Sequence, residues 1–504
     1  MPDGRPFFSE KMLLAVSYFF PPCALATCDF SEFPVPGTAG FPFFSMDLKD
    51  KKVLVVGLAR TGAAAVQFLS KRGAKVKVSD AKTAAELAPF LGPLKGLSVE
   101  WELGGHTESF FADADLIVMS PGVPLNLPAV KKSRAKGIPV IGEVELAFRF
   151  LRRPLIAITG TNGKTTTTTL IGEMLKGSGK KVFVGGNIGN PLIAYVEGPQ
   201  DDEWVVAEIS SFQLEGVSEF RPKISVLLNL TEDHLDRYET FGEYVAAKER
   251  IFAKQKKEDY ALLNADDPLT FALAGRLEPQ VLLFSVRRAV SFGSFLTPEG
   301  ILFQGLNGTR ERFELSRLKI KGAHNVENLM AAIAVCKMCG CPREALQRVM
   351  DEFPGIEHRL EWVRRLDGVS YFNDSKGTNV GSVVKSLQSF EEPIILIAGG
   401  KDKGGDYGPL KDLIAERVKG MALIGEAKDR MFSALGDLTE AAKLRSLEEA
   451  VRWARSKARP GEIVLLSPAC SSYDMFANYQ ERGKRFKEIV NGLGQPDMAA
   501  IKDH

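Results

Sequence analysis

The chain has 504 residues, a formal net charge of +2, and a composition of 45% hydrophobic and 25% charged residues. This length is too great for one hydrophobic core and predicts about three domains of a soluble globular protein. The near-neutral charge gives no general attraction to nucleic acid or to an anionic membrane surface, so we expect neither as a partner. Six cysteines do not make a disulfide framework in a chain this long, which favours a reducing compartment, the cytoplasm.

The first 45 residues differ from the rest of the chain. Lys11 precedes an apolar run at residues 12–20, which superficially resembles a secretory signal. The run is too short to span a bilayer as a helix, so we expect no stable membrane insertion. Met46 then leads directly into a predicted strand. We therefore expect residues 1–45 to be a disordered extension or a non-native start.

The first predicted domain, residues 46–142, begins with a βαβ unit. Its first strand is followed by a glycine turn at residues 57–62, and its second strand ends at Asp80. An acidic residue about 20 positions after such a turn is typical of Rossmann units. Ala59 stands where the dinucleotide fingerprint has its second glycine, so the motif is weak support for a nicotinamide or flavin cofactor. A later strand ends in a Pro-Gly turn, which supplies a second loop of the same domain.

Residues 154–169 carry the most informative pattern of the chain. An apolar run predicts a buried strand, and a glycine turn then leads through Gly163, Lys164 and Thr165 into a helix. In a phosphate-binding loop, backbone N–H groups surround the anion, the lysine reaches the outer phosphates, and the threonine can hold Mg2+. Ile158 stands where the usual pattern has its first glycine, and the alternative is an ordinary turn with a surface lysine. The strand–loop–helix context favours a nucleoside triphosphate site.

Polar residues also follow the neighbouring strands of this central domain, residues 143–356. Strands ending at Asn187 and Glu208 should converge on the edge that carries Lys164, because ligands bind beyond the carboxyl ends of parallel strands. Glu208 is suited to hold Mg2+, although an acid at a strand end can simply be solvated. His234 could ligate a divalent ion or orient the group that does, whereas an isolated histidine is more often structural.

Lys248 lies in a helix predicted over residues 241–253. Charged residues on helices usually face water, so composition alone predicts a surface lysine. The third predicted domain, residues 357–504, repeats the βαβ pattern. The predicted fold class is therefore α/β with three domains: an N-terminal Rossmann-like domain, a central P-loop ATPase-like domain and a C-terminal Rossmann-like domain.

Several motifs together resemble the ATP-dependent Mur ligases of peptidoglycan synthesis. They are Thr-Gly-Thr-Asn-Gly-Lys-Thr at 159–165, Asn-Leu-Thr-Glu-Asp-His-Leu-Asp at 229–236, Gly-Ala-His-Asn-Val-Glu-Asn at 322–328 and Glu-His-Arg at 357–359. The resemblance runs in order from residue 46 to about residue 490. The motifs at residues 208–214, 374–379 and 467–474 are similar to the members that add D-glutamate. The Asp-Asn-Pro-Arg motif of the diaminopimelate-adding relative is absent.

The resemblance implies an ATP-dependent carboxylate–amine ligase. In that family ATP phosphorylates the carboxylate of UDP-N-acetylmuramoyl-L-alanine, and the amino group of D-glutamate attacks the acyl phosphate. The amide, ADP and phosphate are the products. The resemblance thus implies UDP-N-acetylmuramoyl-L-alanine and D-glutamate as substrates, ATP, and Mg2+ as two ions. We expect a monomer.

The same resemblance implies a role for each candidate residue. The ATP site would comprise Gly160, Thr161, Asn162, Gly163, Lys164, Thr165, Thr166, Asn325, Asn328 and Arg359. The metal ligands would be Thr165, Glu208, His234 and a carbamylated Lys248. The UDP-substrate would contact Arg60, Thr61, Asp80, Ser120, Pro121, Gly122, Asn187 and His234. D-Glutamate would contact Lys376, Ser472 and Tyr479, and the catalytic set would be Lys164, Glu208, His234, Lys248 and Lys376.

Two alternatives remain open from the sequence. Another member of the superfamily, such as a different Mur ligase or a folylpolyglutamate synthase, would share the nucleotide loop. Lys376 favours D-glutamate, although a lysine there could by itself be a loop cation, and Gly377 and Tyr479 stand where the family commonly has Ala and Phe. A nucleotide-dependent switch would hydrolyse ATP regardless of UDP-sugar and amino acid. Candidate substrate residues in all three domains argue against a switch.

Overall fold

The computed structural model describes residues 46–234, 237–320, 322–402 and 404–494. The predicted extension at residues 1–45 lies outside the described residues. The chain forms two compact units. Of the described residues, the first unit contains those from 46 to 317 together with Glu327–Asp351, and the second contains Leu318–Val326 and those from 352 to 494. No helix of the described residues combines the length and the apolar character needed to cross a bilayer.

The first sheet has five parallel strands. They are β1 (Lys52–Val56), β2 (Lys75–Asp80), β3 (Val99–Leu103), β4 (Leu116–Met119) and β5 (Val140–Gly142). The helices of this region are α1 (Arg60–Lys71), α2 (Ala88–Leu91), α3 (Glu108–Phe111), α4 (Pro128–Ala135) and α5 (Glu143–Phe148). The strand order is β3-β2-β1-β4-β5. This is the doubly wound order in which ligands bind at the reversal between β1 and β4.

The second sheet has nine strands. They are β6 (Leu155–Thr159), β7 (Val182–Gly186), β8 (Trp204–Glu208), β9 (Ile224–Leu227), β10 (Tyr260–Asn264), β11 (Gln280–Ser285), β12 (Gly293–Thr297), β13 (Gly300–Gln304) and β14 (Arg310–Phe313). Their order is β14-β13-β12-β11-β10-β9-β6-β8-β7. Strand β13 pairs antiparallel with both of its neighbours, β12 and β14, and all other neighbouring strands pair parallel. The fully buried β6 lies between β8 and β9. The loops after β6, β8 and β9 therefore leave the same edge of the sheet.

Seven helices follow strands of this sheet or lie beyond them in the chain. They are α6 (Lys164–Gly177), α7 (Leu192–Val196), α8 (Ser211–Leu214), α9 (Phe241–Glu249), α10 (Pro268–Phe271), α11 (Ala323–Met338) and α12 (Arg343–Glu352). Helix α6 starts directly after the glycine turn that follows β6 and packs against β7 and β8. Helix α9 is shorter than predicted, because the chain tightens into a 3-10 turn at Arg250–Phe252.

The third sheet, in the second unit, has six strands. They are β15 (Glu361–Leu366), β16 (Val369–Asn373), β17 (Ile394–Gly399), β18 (Val418–Ile424), β19 (Glu440–Lys443) and β20 (Ile463–Leu466). Its helices are α13 (Val380–Leu387), α14 (Lys411–Arg417), α15 (Lys428–Leu435), α16 (Leu447–Lys457) and α17 (Tyr479–Gly492). The order is β15-β16-β20-β17-β18-β19, and only the edge strand β15 is antiparallel to its neighbour.

This third sheet is buried on both faces. Alternate residues of β17 enter two separate cores: Ile394 and Leu396 pack into one, and Ile395 and Ile397 into the other. A strand with both faces covered shows a continuous apolar run, which is why the sequence predicts β17. The predicted α/β fold with three sheets is thus confirmed. The exact domain boundaries, 46–142, 143–356 and 357–504, remain predictions.

Candidate active site

The turn between β6 and α6 has the backbone of an anion-binding loop. Gly160 and Gly163 have φ angles of +146° and +85°, which glycine adopts most readily. A Cβ on Gly163 would lie 2.4 Å from Asn328 Oδ1, so a side chain does not fit there. Gly163 is also the N-cap of α6 and supplies no capping side chain. Helix α6 therefore presents an N-terminus suited to a phosphate.

The loop is held in place by the end of β9. The Thr161 amide donates to Asn229 O at 3.0 Å, and the Asn162 amide donates to Asn229 Oδ1 at 2.8 Å. Asn229 Nδ2 donates back to Asn162 O at 3.1 Å. On the other side, Thr167 Oγ1 donates to Asn328 Oδ1 at 3.1 Å. These bonds order the loop from two distant segments of the chain.

Lys164 folds back over this loop. Its Nζ donates to Gly160 O and Thr161 O, each at 2.8 Å. Thr166, the third residue of α6, is buried. The lysine ammonium is thus held directly beside the helix N-terminus, where it adds positive charge to that of the helix dipole.

Thr165 and Glu208 form a paired oxygen site next to the loop. Thr165 Oγ1 donates to Glu208 Oε2 at 2.8 Å, and Asn187 Nδ2 donates to Glu208 Oε1 at 2.8 Å. A hydroxyl and a carboxylate are the donor types that Mg2+ prefers. The Asn187 amide fixes the orientation of the carboxylate, as residues behind a metal ligand do. The residues present therefore fit a magnesium ion.

Lys248 is buried against the same loop. Its side chain is 1% exposed, and Nζ donates to Gly160 O at 2.9 Å. One helical turn earlier on α9, the Tyr244 hydroxyl lies 3.0 Å from Thr161 Oγ1. Burial, and then the charge of Lys164, hold the pKa of Lys248 well below its usual value. The surface position predicted from composition is wrong, because α9 packs the face that carries Tyr244 and Lys248 onto the loop.

His234 lies at the margin of this site. Its φ is +57°, its side chain is 36% exposed, and Nε2 is 3.8 Å from Asp233 Oδ2. Its ring packs edge-on against Phe212, with 4.7 Å between ring centroids. The imidazole is therefore partly accessible and oriented by an aromatic neighbour.

Sequence reasoning missed Arg237, which follows the 229–236 motif directly. Its guanidinium lies 4.4 Å from the centre of the Phe212 ring, and Nη2 donates to Glu215 Oε2 at 2.7 Å. Nη1 donates to Pro121 O at 3.2 Å. Arg237 thus links the central sheet region to the loop that carries Ser120, Pro121 and Gly122. Its place next to a motif was the one signal that could have found it.

In the N-terminal sheet, Asp80 orders the glycine turn. Its carboxylate accepts from the Leu58 amide at 2.5 Å and from the Lys82 amide at 2.8 Å. Ser120 Oγ donates to Gly57 O at 2.7 Å, so the loop after β4 is bonded to the same turn. The candidates Arg60 and Thr61 lie in the first turn of α1. The structure thus brings the loops after β1, β2 and β4 together.

Arg60 also reaches the central sheet region. Its Nη2 donates to Asn190 Oδ1 at 2.9 Å, and Asn190 lies on the loop that carries Asn187. That loop in turn contacts Glu208 through Asn187. Candidate residues for the UDP-substrate and for the metal are therefore joined by one loop of the first unit.

In the second unit, Lys376 and Tyr479 are in contact. Lys376 Nζ lies 3.9 Å from the centre of the Tyr479 ring, a cation–π geometry. Ser472 is buried on the loop after β20. Beside Lys376, Asp374 accepts bonds from Ser386 Oγ at 2.6 Å and Ser467 Oγ at 2.7 Å, and burial raises the pKa of Asp374 to about 6.

Asn325 and Arg359 also belong to the second unit. Both line a cavity of about 370 Å³, together with Lys319, Trp362 and Arg365. Asn328, by contrast, lies in the first unit against Gly163.

The comparisons with known proteins agree over most of the described chain. Family models for a Mur ligase MurD-like N-terminal domain, a Mur ligase middle domain and a Mur ligase glutamate ligase domain match residues 51–142, 158–336 and 358–470. The UDP-N-acetylmuramoylalanine–D-glutamate ligase of Geotalea daltonii is 52% identical over 452 residues, which cover 90% of this chain and 100% of that protein. The chain belongs to the Mur ligase family. This Mur ligase is also 53% identical over 449 residues to the Geobacter metallireducens protein of the same name, covering 89% and 99% of the two chains.

Solved Mur ligase structures share the fold of this one. The UDP-N-acetylmuramate–alanine ligase MurC of Thermotoga maritima has a TM-score of 0.54 at 19% identity and covers 88% of this chain and 99% of its own. The MurF ligase of the same organism, in complex with ADP, has a TM-score of 0.55 at 15% identity and covers 88% and 96%. The three-sheet architecture is therefore that of ATP-dependent Mur ligases.

Proposed function

We propose that this Mur ligase adds D-glutamate to UDP-N-acetylmuramoyl-L-alanine in peptidoglycan precursor synthesis. The observation that carries the proposal is the sequence identity of 52% and 53% to ligases named for this reaction, over nearly the whole length of those ligases. The glycine loop with Lys164 supports the use of ATP, since it has the backbone that binds phosphates.

The proposed chemistry activates a carboxylate before an amine attacks it. A free carboxylate is a poor electrophile, so its oxygen first attacks the γ-phosphorus of ATP and ADP leaves. The amino group of D-glutamate then attacks the carbonyl carbon of the acyl phosphate. The tetrahedral intermediate expels phosphate, and the nitrogen loses a proton to give the amide. Negative charge develops on oxygen at both steps, so positioned cations and N–H groups lower both barriers.

Residues of the glycine loop have the first role in this proposal. Residues 160–166 surround the β- and γ-phosphates in this proposal, and the amides at the start of α6 donate to them, since those of Thr161 and Asn162 already donate to Asn229. The ammonium of Lys164 exchanges its loop carbonyls for phosphate oxygens. Its present bonds, at 2.8 Å to Gly160 O and Thr161 O, hold it next to that position. Asn325, Asn328 and Arg359 would contact ATP from the segments described above.

Mg2+ is proposed to bind beside the loop at two places. Thr165 and Glu208 would hold one ion, and His234 with a carbamylated Lys248 would hold the second. When bound, the ions would screen the charge on the transferring phosphate. The 2.8 Å contact between Thr165 Oγ1 and Glu208 Oε2 supports the first of these sites, because both oxygens can coordinate one cation.

Carbamylation of Lys248 is supported by its surroundings. A carbamate forms when a neutral amine adds CO2 and releases a proton, and burial next to Lys164 favours the neutral amine. The product is an anion with two oxygens, which would suit a buried site beside metal ions. Uniform 13C labelling of CO2 tests this: a carbamate carbonyl resonance should appear in the wild type and vanish in Lys248→Arg. Its absence from the wild type would exclude the modification.

The two remaining substrates would bind at separate loops. Arg60, Thr61, Asp80, Ser120, Pro121, Gly122, Asn187 and His234 would contact the UDP-substrate in the domain at 46–142 and at its junction with the central domain at 143–356. Lys376, Ser472 and Tyr479 would contact D-glutamate in the domain at 357–504. A lysine ammonium and hydroxyl donors suit a dicarboxylate. We further infer that the protein is a cytoplasmic monomer. The cysteines among the described residues are all free thiols, as expected in a reducing compartment.

An acceptor panel tests the proposed reaction. Phosphate release is measured with ATP, UDP-N-acetylmuramoyl-L-alanine and, separately, D-glutamate, L-glutamate, L-lysine or diaminopimelate. We expect turnover with D-glutamate alone. Turnover with another amine but not with D-glutamate would assign a different Mur ligase reaction, and ATP hydrolysis without any acceptor dependence would indicate a nucleotide switch.

Lys376→Ala tests the acceptor site within the same assay. We expect the D-glutamate KM to rise at least about tenfold, because an ammonium–carboxylate bond is lost, while ATP still binds. Lys457→Ala is the matched control, since Lys457 is on the surface of the same unit and pairs with Glu440. An unchanged D-glutamate KM in Lys376→Ala would remove Lys376 from the site.

A further inference from the structure

Arg482 is a buried cation without an acidic partner. It lies in the second turn of α17, its side chain is 1% exposed, and it forms no ion pair with any carboxylate of the described residues. Burying an arginine away from both water and counter-ion is costly. Hydrogen bonds to the guanidinium must therefore offset this desolvation cost.

Those hydrogen bonds join two loops. Arg482 Nε donates to Ser375 Oγ at 3.0 Å, and Nη2 donates to Ser375 O at 2.9 Å. Nη2 also donates to Cys470 O at 3.2 Å, and Nη1 to Ser471 O at 3.3 Å. Ser375 follows β16, and Cys470 and Ser471 follow β20. One guanidinium fork thus connects the carboxyl ends of two adjacent strands.

A third strand end is drawn into the same network. The Lys401 amide, just after β17, donates to Ser471 O at 2.9 Å. A Cβ on Gly400 would lie 3.0 Å from Arg482 Nη1, so the chain passes close to the guanidinium there. Arg482 therefore contacts the loops of β16, β20 and β17, which are consecutive in the sheet order.

These loops carry the residues proposed to bind D-glutamate. Lys376 and Ser472 each follow directly after a residue that Arg482 holds, Ser375 and Ser471. Ser375 Oγ donates in turn to Tyr479 O at 2.8 Å, which attaches the third candidate to the same network. A change in the guanidinium would be transmitted to Lys376 and Ser472 through one peptide unit each, and to Tyr479 through the hydroxyl of Ser375.

The charge of Arg482 persists at neutral pH. Burial lowers the pKa of Arg482 to about 10, while Cys470, Asp474 and Asp374 act on it in the opposite direction. Neither aspartate forms an ion pair with it. The acceptors of Arg482 are carbonyl and hydroxyl oxygens on two loops. The planar guanidinium donates to them from several N–H groups at fixed angles, which the single ammonium of lysine cannot do.

We propose that Arg482 is a positioning residue that sets the spacing of Lys376, Ser472 and Tyr479 for a dicarboxylate amino acid. This inference rests on the proposed function, in which those three residues receive D-glutamate. Arg482 itself does not need to touch the substrate. Substrate-binding groups must be held within a fraction of an ångström, and packed supporting residues provide that precision.

Arg482→Lys is the decisive variant, with Arg485→Lys as its matched control. Arg485 lies on the same helix, is half exposed, and pairs with Glu448 and Glu488 at the surface. Phosphate release is measured while each of the three substrates is varied in turn, and thermal unfolding is recorded. We expect the D-glutamate KM of Arg482→Lys to rise about tenfold or more, with the ATP and UDP-substrate KM values within about twofold of wild type. Arg485→Lys should match wild type.

Two outcomes would overturn the proposal. One is an unchanged D-glutamate KM in folded Arg482→Lys, and the other is an equal loss for all three substrates, which indicates a purely structural role. If Arg482→Lys does not fold, Ser375→Ala replaces it, because it removes one acceptor of the fork and the bond to Tyr479 while the charge stays. A D-glutamate KM unchanged in Ser375→Ala would likewise reject the inference. Failure of the proposed function is separate, since the wild type would then show no D-glutamate turnover.

Discussion

Lys164 and Lys248 donate to the same oxygen atom, the carbonyl of Gly160, at 2.8 and 2.9 Å. Two ammonium groups on one acceptor repel each other, and burial adds to the cost of charge on Lys248. The pKa of Lys248 is accordingly held well below its usual value. The phosphate loop and helix α9 are thus coupled through a pair of lysines, of which the buried one favours its neutral form.

Replacing Lys248 separates its chemical role from its effect on stability. We expect Lys248→Met to lose ligase turnover at least about 100-fold while its melting temperature equals or exceeds that of wild type, since the buried amine is replaced by an apolar group. Phosphate release and thermal unfolding measure the two effects. Lys254→Met, at an exposed lysine that pairs with Glu219, is the control. Retained turnover in Lys248→Met would contradict the proposed role.

Lys164→Ala tests the phosphate loop. We expect kcat/KM to fall at least about 1,000-fold, because no other side chain replaces a cation beside the transferring phosphate. The assay is phosphate release with all three substrates present. Lys176→Ala serves as the control, because Lys176 lies at the other end of the same helix and its side chain is 51% exposed. Near-normal turnover in Lys164→Ala would show that the loop does not bind the reacting nucleotide.

The burial of Glu143 predicts that the free energy of unfolding depends on pH. It is 1% exposed, its Oε1 accepts from the Ile193 amide at 2.8 Å, and its Oε2 has no hydrogen-bond partner. Burial raises the pKa of Glu143 to about 7. The folded chain therefore holds this proton more tightly than the unfolded chain, so the stability it contributes is complete below the ordinary carboxyl pKa and is lost as pH rises through about 7.

The neutral isostere Glu143→Gln removes that dependence. We expect its free energy of unfolding to equal that of wild type near pH 4 and to exceed it near pH 8, by about 3 kcal/mol at most. Urea titrations at the two pH values measure the difference. Glu145→Gln should instead destabilise at pH 8, because Glu145 pairs with Arg149 and accepts from the Ser218 amide. A pH-independent difference for Glu143→Gln would show that the pKa of Glu143 is the same in the folded and the unfolded chain.

Gly62 is required by the close packing of the first turn of α1. A Cβ there would lie 2.0 Å from Gly57 O, a backbone atom that cannot move aside without opening the turn. We expect Gly62→Ala to cost about 2–3 kcal/mol of unfolding free energy and to raise the KM of the UDP-substrate more than that of ATP. Gly92→Ala, where a Cβ meets nothing within 4 Å, is the control. Equal stability of the two variants would contradict this packing argument.

The sequence predicted those strands whose own residues form a recognisable apolar pattern. Strands β6, β8 and β17 are continuous apolar runs because both of their faces are covered. Strands β11 to β14 of the central sheet were not predicted, and β14, at the edge of that sheet, has two exposed residues among its four. An edge strand carries only a weak apolar signal.

The residues of the site also fall into two groups, those that the sequence predicted and those that only the structure revealed. The glycine turn and Lys164 are contiguous in sequence, so their spacing predicts a phosphate loop before any packing is known. Lys248 required the family resemblance, because its burial depends on α9 packing against a loop far away in the chain. Arg482 gave no signal at all, since an arginine on a helix is expected to face water.

The sequence by itself determined the α/β class, the positions of the buried parallel strands, the phosphate loop and, through its motifs, the family. Only the tertiary structure decided that Lys164 and Lys248 share one carbonyl, that Glu143 is buried with one oxygen unpaired, and that Arg482 joins two loops. The physical reason is that strand and turn patterns record each segment's own surroundings. The burial and charge state of an ionisable side chain depend instead on which distant segment packs against it.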